Sequence, residues 1–94
     1  MTITLNIPIT HRIYTQGQSA LALEAADIGQ AVSQLCEKYP AMSAQILTPD
    51  GGLKDDIEIS INGRLIPDGQ RDKAFSLALS PGDDLLLSSI IAGG

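Results

Sequence analysis

The 94-residue chain carries six basic and eleven acidic side chains, for a formal net charge of −5 and a pI near 4.4. That balance disfavours nucleic acids and anionic membranes as electrostatic partners and favours a basic patch on another protein. With 44% hydrophobic residues but no Trp, one Phe and two Tyr, the chain has material for one globular domain whose core is built from Ile, Leu, Val and Ala, so a deep catalytic cleft is not expected and a surface or a chain end is the place to look for function.

Cys36 is the only cysteine, which excludes an internal disulfide and a cysteine-based metal cluster. The basic residues Arg12, Lys38, Lys54, Arg64, Arg71 and Lys73 are scattered rather than arranged in a stripe. The first ten residues lack the basic start and apolar run of a secretory signal, and no segment approaches the ~18 apolar residues of a membrane span. The expected location is the cytoplasm.

Residues 2–9 alternate, with Ile3, Leu5, Ile7 and Ile9 on one side and Thr2, Thr4, Asn6 and Pro8 on the other. This is the period of a half-buried strand, ending near Pro8. Residues 10–19 read as a hairpin connection, and Leu21 and Leu23 mark a second strand antiparallel to the first. Over residues 28–39 the apolar positions Ile28, Ala31, Val32, Leu35, Cys36 and Tyr39 fall on one face of a helix. Asp27 and Gln30 form a capping-box pattern at its start, and Pro40 stops it. A loop through residues 48–52 follows, and Gly51-Gly52 has no phosphate-binding Lys-Ser/Thr after it. The alternation of Ile57, Ile59 and Ile61 predicts a strand, Asn62-Gly63 a tight hairpin turn, and residues 64–66 a short return strand. Residues 67–69 make a turn, residues 71–79 hold at most a helical turn around Phe75, and Pro81-Gly82-Asp83 leads into an apolar final strand over residues 84–89.

A continuous apolar final strand belongs in the middle of a sheet with the helix on one face. The order of elements resembles the ubiquitin-like β-grasp arrangement, an α+β fold in which a mixed sheet of about five strands packs against one main helix and the first and last strands are central neighbours. The expected division is a β-grasp domain over residues 1–88 and a C-terminal tail over residues 89–94.

Few side chains offer chemistry. His11 is a lone histidine, expected on a surface loop. Cys36 lies on the apolar helix face, where a thiol serves as a small hydrophobe. Asp55, Asp56 and Glu58 lack the spacing of a calcium loop and read as a solvated charge run. The unusual feature is the closing Gly93-Gly94, a pair that average composition would supply about once in 200 chains. Two residues without side chains let a partner enzyme close a narrow channel around them and reach the carboxylate, whereas they add nothing to a core.

The capped helix ending at Tyr39-Pro40, the strand and turn from Ile57 to Gly63, Pro81-Gly82-Asp83-Asp84 before the last strand, and the ending Ile91-Ala92-Gly93-Gly94 run over nearly the whole chain. In these features it resembles the MoaD/ThiS family, the small subunit of molybdopterin synthase and the thiamine sulfur carrier. The length, the Ile7-Pro8 start and the long loop expected after Tyr39-Pro40 look most like members that serve cysteine biosynthesis. The resemblance implies a carrier rather than an enzyme, with no bound cofactor. Its Gly94 carboxylate is adenylated with ATP held by a separate activating enzyme related to ubiquitin-activating enzymes. A sulfur donor such as a persulfide, from a sulfurtransferase or sulfide source, then converts it to a thiocarboxylate for a sulfur-accepting synthase making cysteine, molybdopterin, thiamine or a similar product. Ile91, Ala92 and Gly93 are the tail that partners grip. The expected docking surface is the sheet face away from the helix, with Leu86, Ser88 and Arg64 as contacts and Asp83 and Asp84 as steering charges. The alternatives are a ubiquitin-like modifier joined to other proteins through the same glycines, and a passive β-grasp interaction module.

Overall fold

The computed structural model describes residues 2–89. Five strands, β1 (Thr2–Asn6), β2 (Ala20–Glu24), β3 (Ile57–Ile61), β4 (Arg64–Leu65) and β5 (Asp84–Ser89), form one sheet in the order β2-β1-β5-β3-β4. β1 and β5 are parallel and every other pair is antiparallel. This is the ubiquitin-like β-grasp, with the first and last strands as central neighbours. β5 reaches Ser89, which pairs with Ile57, so the strand enters the segment expected as tail by one residue; residues 90–94 lie outside the described residues.

One face of the sheet carries Ile3, Leu5, Leu21, Leu23, Ile57, Ile59, Leu85 and Leu87, all buried. Helix α1 (Ile28–Lys38) lays Ile28, Ala31, Val32 and Leu35 onto that face, and the core is the layer between them. The helix begins as its sequence dictates. The Asp27 carboxylate accepts the Gln30 main-chain N–H at 2.7 Å, and the Gln30 side chain accepts the N–H of Ala26 at 2.8 Å, one residue earlier than in the usual capping box. It ends at Lys38 because Tyr39, which precedes a proline, is pushed out of helical geometry to φ −131°, ψ 84°.

Three segments differ from their sequence reading. β1 stops at Asn6, and Pro8 leads into a 3-10 helix, Ile9–Thr15, inside the expected loop. Pro8 ends the alternation, so Ile7 stays buried while Ile9 turns out to solvent. Pro40 closes one helix and opens another, α2 (Ala41–Ile46), which buries Met42 and Ile46 where a loop was expected. The ambiguous stretch around Phe75 is a 3-10 helix, Asp68–Ser76, packed beside α1. After it, Leu77 and Leu79 are tied to the start of α1 through Ile28 N–H to Leu77 carbonyl at 3.1 Å and Leu79 N–H to Ala26 carbonyl at 2.9 Å. Among the described residues no helix is long and apolar enough to cross a membrane.

Candidate functional site: the outer sheet face and the end of β5

Because β5 is central, its alternation sorts its side chains between two environments. Leu85 and Leu87 are buried against the helix layer, whereas Leu86 stands on the opposite face and is 38% exposed. Register places Leu86 between Asn6 of β1 and Ser60 of β3, and Ser60 beside Leu65 of β4. Leu65 is 54% exposed, so two leucines flank a serine on the face away from the helix. Ser88 lies on the same face, half-buried and paired with Glu58.

Arg64 is not brought onto that face. It pairs with Ile61, whose other partner is the buried Leu85, and side chains of directly paired residues point to the same side of a sheet. Leu65, across Ser60 from Leu86, is the β4 residue on that face, whereas Arg64 was expected as a polar contact near it. The signal was present in the sequence. A two-residue Asn62-Gly63 turn pairs Ile61 with Arg64 and Ser60 with Leu65, so the polar Ser60 of an otherwise inward-facing isoleucine series marks Leu65 as outward too.

The start of β5 is clasped to the β3–β4 turn. Asn62 and Gly63 both have positive φ, 52° and 84°, the geometry of a type I′ turn that Gly63 adopts without a Cβ penalty. The Asn62 side chain accepts the Asp84 N–H at 2.9 Å and donates to the Asp83 carboxylate at 3.0 Å. The Ser80 N–H donates to the other oxygen of Asp83 at 2.8 Å. These bonds, that from Ser80 first, hold the Asp83 carboxyl below the usual carboxylate range. Asn6 donates to Asp84 at 2.7 Å and to the Leu85 carbonyl at 2.9 Å, which joins β1 to the same point.

The other end of β5 leads to residues 90–94. Parallel pairing with β1 places that end on the side where β1 runs into the 3-10 helix Ile9–Thr15. Ile9 and Ile13 of that helix are 77% and 82% exposed, an apolar pair whose exposure no core contact explains. Ile91, Ala92, Gly93 and Gly94 lie outside the described residues.

The remaining candidates fall into place. His11 is not a loop surface residue. It is 7% exposed, its ring beside the Thr10 hydroxyl at 3.2 Å and near the ring of Tyr14, because the 3-10 helix folds inward at this position. Cys36 is half-buried against the core, and burial pushes its thiol up while the Ser43 hydroxyl partly opposes the shift. Asp55 and Asp56 are exposed and Glu58 half-exposed, and among the described residues no group of three or more metal-ligating side chains converges.

No family model matches the chain. It is 26% identical to the sulfur carrier protein CysO of Mycobacterium bovis over 96 residues, covering 100% of each sequence. Among solved structures, SAMP1 from Haloferax volcanii superposes with a TM-score of 0.82 at 22% identity and covers 100% of both chains. CysO in the Amycolatopsis orientalis BexX/CysO complex superposes with a TM-score of 0.82 at 19% identity, covering 98% of this chain and 99% of that one. A putative molybdopterin converting factor subunit 1 from Pyrococcus furiosus gives 0.72 at 13% identity, over 97% of this chain and 99% of that one. With its five-stranded mixed sheet and these full-length superpositions, the chain has the ubiquitin-like β-grasp fold, and along its whole sequence it is similar to sulfur carrier protein CysO.

Proposed function

We propose that this protein is a sulfur carrier whose Gly94 carboxylate is adenylated by an ATP-dependent activating enzyme and converted to a thiocarboxylate that supplies sulfur to a biosynthetic synthase. The observation that carries the reading is the full-length likeness to proteins named sulfur carrier protein CysO, in a chain whose central strand runs on into Ile91-Ala92-Gly93-Gly94. A carboxylate is a poor electrophile because its charge is shared by two oxygens. Attack of that carboxylate on the α-phosphate of ATP releases pyrophosphate and leaves an acyl adenylate, and hydrosulfide then displaces AMP at the acyl carbon. The carrier contributes the acyl group and the docking surface, and its partners contribute the catalytic side chains and the nucleotide site. Leu86 and Leu65 on the outer face, with Ile9 and Ile13 at the end where β5 leaves the sheet, are the apolar anchors for those partners. The Amycolatopsis neighbour was crystallised with BexX, an example of a CysO held by a second protein.

The test is to incubate the full chain with ATP, sulfide and the activating enzymes encoded beside its gene, and to weigh the intact protein. A mass gain equal to one oxygen-for-sulfur exchange at Gly94, lost on deletion of Gly93-Gly94, is the expected result. No exchange with any of those enzymes overturns the reading. The likeness to SAMP1, a small archaeal modifier protein, favours a second reading, in which the same activated glycine is transferred to lysine amines. Capture under denaturing conditions from cells then yields higher-mass species joined through Gly94.

A further inference from the structure

Beside β4 lies a groove of about 590 Å³ with walls of Ile61, Leu65, Ile66, Pro67 and Leu77, with Arg64 also lining it and no carboxylate among the described residues that line it. Ile61, Ile66 and Leu77 pack one flank against the core and leave the other to the groove. On a chain of net charge −5 this is a local inversion. The cavity lined by Thr48, Asp50, Asp55, Arg71 and Asp72 shows the contrast, since carboxylates gather there and the guanidinium is already committed. The chain has three arginines. Arg12 donates to the Ile7 carbonyl at 3.1 Å and Arg71 to the Lys54 carbonyl at 2.8 Å. Arg64 alone has no polar partner for its side chain among the described residues.

We infer that the groove beside β4 is a docking site for an extended apolar peptide segment that carries one carboxylate. The carboxylate is set by charge complementarity, because a guanidinium fork binds it in a planar, two-bond geometry that an ammonium cannot offer. The apolar side chains are set by the walls. Main-chain recognition contributes little. Ile66 N–H donates to the Ile59 carbonyl at 3.0 Å, so on this edge only Leu65 turns its N–H and C=O away from β3, and Pro67 has no N–H to add. The groove adjoins Asn62 at one end of β3, whereas β5 leaves the sheet beside Ile57 at the other. Arg64, Ile66 and Leu77 of the groove lie apart from that exit, and Leu65 is the one wall it shares with the outer-face patch.

The experiment is an NMR titration of the isotopically labelled full chain with the capped peptide acetyl-Leu-Val-Glu-Leu-amide and with its Gln counterpart, which differs only in charge. Saturable shifts confined to Asn62, Leu65, Ile66, Leu77 and Ala78 are expected, with the Glu peptide bound roughly threefold to tenfold more tightly. Arg64→Gln should erase that preference while leaving weak binding of both peptides, and added salt should weaken the Glu peptide alone. Equal affinity for the two peptides, shifts centred elsewhere, or no saturation overturns the inference. So do shifts of the groove amides with protein concentration alone, which would make a second copy the occupant.

Discussion

Asp83 shows how far one side chain can govern a turn. Its two oxygens accept from the Ser80 N–H and from the Asn62 amide, and the Asn62 carbonyl oxygen is already taken by the Asp84 N–H. The amide therefore cannot flip, and an Asn at position 83 would either set one NH2 group against another or give up the bond from Ser80. Because the folded-state pKa of Asp83 is lowered, its stabilisation is complete above the unfolded value of about 3.9 and drains away as pH falls through the folded value. Asp83→Asn should thus melt below the wild-type protein at about pH 6, with the gap closing towards about pH 3. Thermal melts across that range check it, and a gap that stays constant with pH would show that the charge contributes nothing.

Helix α1 is held on two sides by different means. Its buried stripe meets the sheet, but at Gly29 the backbone itself approaches the 3-10 helix Asp68–Ser76. A Cβ there would sit 2.8 Å from the Phe75 carbonyl oxygen and 3.2 Å from its Cβ. Intrinsic propensity favours Ala over Gly in a helix by about 1 kcal/mol, whereas forcing two packed backbones apart costs roughly 1–3 kcal/mol. The second term wins, so Gly29→Ala should lower the urea midpoint despite better helix chemistry. The same neighbourhood explains what was hard to read in the chain. Asp27, Gln30 and the spacing of Ile28, Ala31, Val32 and Leu35 announce α1 locally. The residues around Phe75 carry no period, and their 3-10 form is set by the surface of α1 they pack against. α2 was obscured for another reason: Pro40 reads as a stop, and the same proline is a favourable first residue for the turn that follows.

At the scale of the molecule, stability and the proposed activity occupy different places, and substitutions should separate them. Leu35→Ala removes a fully buried side chain between α1 and the sheet and should cost roughly 2–5 kcal/mol. Leu86→Ala, on the outer face, should change stability by less than about 1 kcal/mol yet raise the KM of the activating enzyme for the carrier by roughly tenfold or more if Leu86 anchors it. Deleting Gly94 should leave the melting temperature unchanged and abolish charging. A deletion as damaging to folding as Leu35→Ala would make the tail a structural element and remove the basis of the carrier reading.

The strands, the capped helix, the type I′ turn and the diglycine ending were all legible in the chain because each is a local matter, decided by alternation, spacing or a residue's own backbone preference. The central placement of β5 beside β1 followed from its unbroken apolar run together with the family resemblance. Tertiary structure alone decided the rest: that His11 turns inward and Ile9 and Ile13 outward, and that Arg64, without a polar partner among the described residues, lines an apolar groove. Those outcomes depend on which segments, distant in sequence, come to lie against one another, and on which side of a sheet each side chain is left once the strands have paired.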